Sequence, residues 1–215
     1  MQEKLGKRDY QERTMRTIGL VTFSGVSGAS IRPISNLIEI LSALTHEQIL
    51  LVTGNAVRVF ENDMRVRFRV VNHHGGNNVI SRILRYIKTQ VKITRRVVES
   101  SHVDTWIFFM GGETLVIPMA TAKLLQKRAI IVLPGSITTT MESIGDRLVI
   151  PVRILAMVAR RLCERIVIYS PGLITEWNLE PYRHKILIAH EHFLDFNTFT
   201  VTTPLADRPP LIGYI

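Results

Sequence analysis

The sequence predicts an α/β domain: a mostly parallel, Rossmann-like sheet with helices on both faces. Three observations carry that expectation. Short runs rich in Ile, Val and Phe, such as IGLVTF at residues 18–23, alternate with longer segments of helical period. These runs are unbroken rather than alternating, which suits strands covered on both faces, as in parallel sheets. The junctions after three of them hold glycine, serine or proline: residues 24–30, 111–114 and 134–138. In an open parallel sheet, ligands sit beyond the carboxyl ends of the strands, so these loops are where chemistry is expected.

Taken in order, residues 1–16 read as a charged tail carrying Lys4, Lys7, Arg8, Arg13 and Arg16. Residues 18–23 form the first strand and 24–30 its glycine loop. Ser30 suits a helix N-cap and Pro33 fits a first turn. The helix after it, residues 31–44, carries Ile34, Leu37, Ile38, Leu41 and Leu44 at helical spacing. Residues 48–53 are a second strand, followed by a turn at Gly54 and Asn55. In residues 65–71 Arg65, Arg67 and Arg69 alternate with Val66, Phe68 and Val70, the pattern of a half-buried strand near a sheet edge.

HHGGNN at 73–78 reads as a solvated loop. The long helix at 79–101 is expected to bury Ile80, Ile83, Leu84, Ile87, Val91 and Val98. Its other sides carry Arg82, Arg85, Lys88, Lys92, Arg95 and Arg96. Strands follow at 105–110, 129–133, 166–170 and 185–189. Helices are expected at 114–127, where Pro118 disturbs the first turns, at 151–165 and at 171–179. Residues 137–147 are ambiguous. Residues 190–210 are rich in turn formers, and 211–215 begin another strand.

The bulk composition bounds the function. A chain of 215 residues with 46% hydrophobic and 21% charged residues can bury its own core. Its one cysteine, Cys163, has no intrachain partner for a disulfide and reads as a small buried apolar residue. No apolar run reaches the roughly 18–20 residues of a membrane-spanning helix, and residues 1–16 lack an apolar core of the secretory kind. The expectation is a cytoplasmic protein, soluble or peripheral on the inner face of the cell membrane. The net charge of +9 calls for an anionic partner: a phosphorylated substrate, an anionic membrane surface or nucleic acid.

Of the three loops, the first offers backbone donors at Gly25, Gly28 and Ser30 in front of a helix start, which favours an anion. Its spacing is neither the three-glycine dinucleotide fingerprint nor a Walker A loop. The second loop, Gly111, Gly112 and Glu113, supplies a carboxylate that is a candidate general base or hydroxyl ligand; the same acid would equally suit a helix N-terminus. The third offers Gly135 and Ser136. His190 and His192 would share a strand face, yet no third metal ligand is apparent, and no metal is expected. Ser170 lacks the Gly-x-Ser-x-Gly setting of a nucleophile elbow. Arg65, Arg67 and Arg69, with Arg82, Arg85, Lys88, Lys92 and Arg96, could build one basic surface for anionic lipid or for phosphates. No motif for specific nucleic-acid recognition is visible.

From Arg165 onward, RIVIYSPGLITEWNLEPYRHKILIAHEHFLDFNTF resembles the end of the N-terminal domain of GT-B glycosyltransferases of the retaining group-1 (GT4) family. The first strand with its glycine loop and residues 104–136 resemble it more diffusely. The resemblance implies a Rossmann-like N-terminal, acceptor-side domain at 17–199. It also implies a linker and the first strand of a second domain at 200–215. It implies transfer of a sugar from a nucleotide-sugar donor to an acceptor, such as a lipid-linked one, with no other cofactor. Gly25, Gly28 and Ser30 would face the donor, and Gly111, Gly112, Glu113, Gly135 and Ser136 the acceptor. The histidine common after the fifth strand of the family has no counterpart in Pro134-Gly135-Ser136. The family's donor-binding domain would lie beyond residue 215, so the 215-residue chain alone is expected to turn over little substrate. Two other classes stay open at this stage: a self-contained nucleotide-binding α/β enzyme, and a basic module binding membrane or nucleic acid.

Overall fold

The computed structural model describes residues 17–25 and 28–189. Among them, seven strands form one sheet: β1 (Ile18–Thr22), β2 (Ile49–Thr53), β3 (Val66–Val70), β4 (Thr105–Phe109), β5 (Arg128–Val132), β6 (Arg165–Ile168) and β7 (Ile186–Ile188). Their order across the sheet is β3-β2-β1-β4-β5-β6-β7, and every pairing is parallel. The expected α/β, Rossmann-like class is what the chain adopts.

Parallel neighbours need crossovers, and helices supply most of them. They are α1 (Ile31–Ser42), α2 (Val79–Glu99), α3 (Val116–Leu124), α4 (Ile137–Ser143), α5 (Val149–Leu162) and α6 (Leu173–Glu176). The ambiguous stretch at 137–147 thus contains a two-turn helix. The turn after β2 is longer than expected, since residues Asn55–Asn62 wind into a 3-10 segment that serves as the crossover to β3.

The sheet is covered on both faces. On one, α2, α3 and α5 press Ile93, Val97, Met119, Ala122 and Ala159 onto Val21, Val52, Trp106, Phe108 and Ile131. On the other, α1 and the 3-10 segment set Ile34, Ile38, Val57 and Phe60 against Leu20, Ile49, Leu51 and Phe109. Gly19 is paired in register with Trp106, and a Cβ there would stand 2.4 Å from the indole. The missing side chain makes room for the largest residue of the core. Cys163 is buried as expected, and burial pushes its thiol pKa up to about 11.

Ser30 is a correction. The helix does begin at Ile31, but Ser30 already has helical angles and its side chain caps nothing, because the 3-10 turn Gly28–Ser30 runs directly into α1. The edge strand behaves as its alternation implied: Val66 is buried while Arg67 and Arg69 are exposed.

The second correction concerns α2. Its N-terminus is well defined: the Asn78 side chain accepts from the Ser81 N–H at 2.8 Å, and Ser81 Oγ accepts from the Asn78 N–H at 3.2 Å. The apolar stripe expected in the core faces outward instead, with Ile80 71% exposed, Leu84 62% and Val91 55%. The helix buries Thr89, Gln90, Ile93 and Val97. It carries two apolar arcs, and periodicity alone does not tell which one packs. The expectations for residues 1–16 and 190–215, including His190, His192 and the strand at 211–215, lie outside the described residues.

The orientation of α2 is testable. Ile93→Ala should lower the unfolding free energy by about 2–4 kcal/mol, a buried-cavity cost. Leu84→Ala should change it by less than about 0.5 kcal/mol, as at an exposed site. Urea denaturation of the two variants measures both.

Candidate functional site at the switch point of the sheet

Strand order reverses between β1 and β4: the chain builds outward from β1 to β3, then returns to the other side. Loops leaving β1 and β4 therefore diverge, and a crevice opens beyond their carboxyl ends. All three loops singled out in the sequence, after β1, β4 and β5, leave this edge.

The β1 loop is held from two sides. The Phe23 N–H donates to the Met110 carbonyl at 3.2 Å, binding it to the β4 loop. Behind it lies Gly54 at the end of β2, where a Cβ would stand 2.0 Å from the Ser24 carbonyl oxygen. Only a residue without a side chain fits there unless the backbone moves. Ser24 is buried, and among the described residues its hydroxyl has no hydrogen-bond partner. Thr22 and Thr53, at the ends of β1 and β2, share a buried hydrogen bond of 2.5 Å. Gly25 is exposed and sits on the Phe23 ring, Gly28 is exposed with, among the described residues, no atom within 4 Å of where a Cβ would be, and Ser30 is buried.

The Phe23 ring anchors a cluster that sequence reading missed. It meets His73 at 4.9 Å and Tyr86 at 5.7 Å between ring centroids. His73 bonds Thr89 at 2.8 Å, so the first histidine of HHGGNN is packed, not solvated as expected. Burial, followed by the charges of His74 and Arg85, lowers its pKa. The Tyr86 hydroxyl donates to the Thr114 carbonyl, and burial pushes its pKa up to about 12. These contacts tie the β1, β3 and β4 loops to α2.

In the β4 loop, Gly111 has φ 81°, a left-handed conformation that favours glycine, and Phe23 lies within 2.9 Å of where its Cβ would be. Gly112 and Glu113 are buried. Glu113 Oε2 accepts from Arg160 Nη2 of α5 at 2.9 Å, with the side chains 3% and 10% exposed. Its Oε1 accepts from the Ile137 N–H, at the start of α4, at 3.1 Å. Both oxygens of this carboxylate thus serve contacts within the protein. Ser136 is buried, and its Oγ caps α4 by accepting from the Thr139 N–H at 3.3 Å. Gly135 is exposed with open space around it.

Six of the basic residues line two grooves. Arg67, Arg69 and Arg96 line a shallow groove of about 120 Å³ with Glu99 and His102. Arg85, Lys88 and Lys92 line another, of about 220 Å³, with Asn72, His74 and Thr89. Arg65 is turned to Asp63 at 2.7 Å and Arg82 to Asp146 at 2.6 Å. Among the described residues, no three His, Cys, Asp or Glu side chains are grouped to hold a metal ion.

No family model matches the chain, and no curated protein sequence matches it. Solved structures do. Anabaena HepE in complex with UDP and glucose superposes with TM-score 0.55 at 10% identity, over 85% of this chain and 46% of that one. UDP-GlcNAc 2-epimerase from Methanocaldococcus jannaschii gives 0.51 at 12% identity, over 80% and 45%. Glycyrrhiza uralensis UGT73P12, complexed with glycyrrhetinic acid 3-O-monoglucuronide, gives 0.53 at 8% identity, over 80% and 48%. At these identities the likeness is one of fold: the chain has the α/β Rossmann-like architecture found within these structures. It spans about half their length.

Glu113→Ala leaves the Arg160 guanidinium buried without its carboxylate and should cost about 3–5 kcal/mol. The double variant Glu113→Leu with Arg160→Met should recover most of that, by urea denaturation. For His73, the fold resists a proton that the unfolded chain accepts. Its contribution is therefore full above the ordinary imidazole pKa of 6.5 and falls as pH drops through and below it. The melting temperature of the wild type should decline more steeply between pH 7.5 and 5.5 than that of His73→Gln.

Proposed function

We propose that this chain is the acceptor-binding half of a GT-B glycosyltransferase of the GT4 kind, moving a sugar from a nucleotide-sugar to an acceptor. The observation that carries the reading is the switch point itself. Beside it on the carboxyl edge, the β1 loop at Gly28 and the β5 loop at Gly135 present main chain with open space among the described residues, where such sheets hold ligands. Support also comes from the neighbouring folds, one of which holds UDP and glucose. That the chain spans about half of each neighbour fits a donor-binding domain supplied by a second unit.

In the reaction, the bond between the anomeric carbon and the phosphate oxygen breaks, and the nucleoside diphosphate leaves with the electron pair. The acceptor oxygen bonds the same carbon, and its proton passes to the departing diphosphate. On this reading Gly25, Gly28 and Ser30 face the diphosphate, where backbone N–H groups stabilise the charge that develops on the leaving oxygens. Gly111, Gly112, Gly135 and Ser136 border the acceptor. Glu113 positions this border: with both oxygens engaged by Arg160 and Ile137, it holds the β4 loop against α4 and α5. The enzyme would work on the cytoplasmic side of the membrane on a lipid-linked acceptor.

The test incubates the complete protein with a panel of nucleotide-sugars, with and without acceptors. Release of nucleoside diphosphate only when an acceptor is present supports the reading. Conversion of UDP-GlcNAc to its C2 epimer, with no diphosphate released, would replace it with an epimerase. Gly28→Asp, placed where there is room for a side chain, should lower kcat/KM by about tenfold or more through repulsion of the diphosphate. Its melting temperature should stay unchanged. The 215-residue chain by itself should turn over little donor.

A further inference from the structure

The outward apolar stripe of α2 lies within a larger surface. Ile80, Leu84, Ile87, Val91 and Val98 are spaced i, i+4, i+7, i+11 and i+18, so they share one line along the helix at about 100° per residue. All five are exposed. Gln90 Oε1 accepts from the Ile117 N–H at 2.9 Å, which sets α3 alongside α2. Ile87 and Ile83 stand one and two turns before Gln90, and Ile117 and Leu124 of α3 are also exposed, Leu124 at 84%. Beyond α3, on the same face of the sheet, α5 exposes Ile150, Ile154 and Met157 at i, i+4 and i+7. Soluble proteins seldom leave so many large apolar side chains together in water, and such patches mark an interaction surface.

The charges beside the stripe select the partner. Lys88, Lys92 and Arg95 follow the apolar line on one flank, and α2 holds Arg82, Arg85 and Arg96 besides, against one acid, Glu99. Glu99 is spent on Arg95 and Arg96. Among the described residues no carboxylate pairs with Lys88 or Lys92. Of the charged residues of α5, Arg160 is buried against Glu113, while Arg153, paired with Glu142, and Arg161 are exposed. A second copy of the chain would bring these cations against their own kind. An apolar line flanked by lysine and arginine fits a bilayer, where side chains enter the acyl boundary and cations meet phosphate headgroups. Among the described residues no helix is long and apolar enough to cross a membrane.

We infer that the outer faces of α2, α3 and α5 form one surface that seats the protein on an anionic bilayer, through the apolar stripe of α2 and its lysine flank. The inference is independent of the transferase reading, because binding is read without any sugar or nucleotide. The experiment is co-sedimentation of the full chain with vesicles of phosphatidylcholine alone or mixed with phosphatidylglycerol, across salt concentrations, alongside light scattering for the oligomeric state. The chain should sediment with the anionic vesicles and much less with the neutral ones. Leu84→Asp with Val91→Asp should weaken binding about tenfold or more by removing inserted apolar surface. Lys88→Glu with Lys92→Glu should weaken it about tenfold by reversing headgroup attraction. Both pairs are exposed, and an unchanged melting temperature verifies their folding, with Leu84→Ser and Val91→Ser as the milder pair. No sedimentation with anionic vesicles overturns the inference. So does binding that ignores the Leu84 and Val91 changes and vanishes with salt, which is generic charge. A dimer that the Leu84 and Val91 changes disperse would assign the face to a second copy instead.

Discussion

The ion pair between Glu113 and Arg160 is the constraint on which the carboxyl edge of the sheet depends. It joins the β4 loop to α5, and the second oxygen of the same carboxylate holds the first N–H of α4. Three elements that follow two different strands are thereby fixed to one side chain. Burying a carboxylate and a guanidinium is costly in itself, and close geometry offsets the loss of hydration only in part. The pair is better understood as specifying position than as adding stability. With it in place, the loops after β4 and β5 keep a set distance, and the crevice between the strands has a defined wall.

The opposite wall is built differently. The β1 loop has no charge to hold it, and relies on close approach: Gly54 against the Ser24 carbonyl, and Phe23 between Gly111, His73 and Tyr86. Packing of this kind tolerates little change in volume. One wall is therefore set by a buried charge pair and the other by shape. Each wall holds a glycine, Gly28 in one and Gly135 in the other, with open space among the described residues where a Cβ would be.

The helix α2 connects this edge to the outer surface. Its inner side carries Tyr86, Thr89 and Gln90, each bonded to a loop or helix start near the crevice. Its outer side carries the apolar stripe and the lysines. A helix that buries polar groups and exposes aliphatic ones reverses the usual arrangement. The reversal follows from its position: loop ends need hydrogen-bond partners, and so the side chains that satisfy them must turn inward.

The sequence by itself determined the α/β class, the alternation of strands and helices and the three glycine-containing loops. Those properties are local: β-branched runs, helical period and turn residues act over a few positions. It also placed Arg67 and Arg69 on the outer face of an edge strand, because a period of two leaves no other choice. Only the tertiary structure decided the phase of α2, since two apolar arcs competed and the bonds of Tyr86, Thr89 and Gln90 selected one. Nothing around Arg160, one of two adjacent arginines near the end of a helix, marks it as the partner of an acid 47 residues earlier. The pairing of His73 with Phe23, and the need for glycine at position 54, likewise arise from contacts between loops distant in the chain. Such contacts depend on how strands are ordered in space, and spacing along the sequence carries no record of that order.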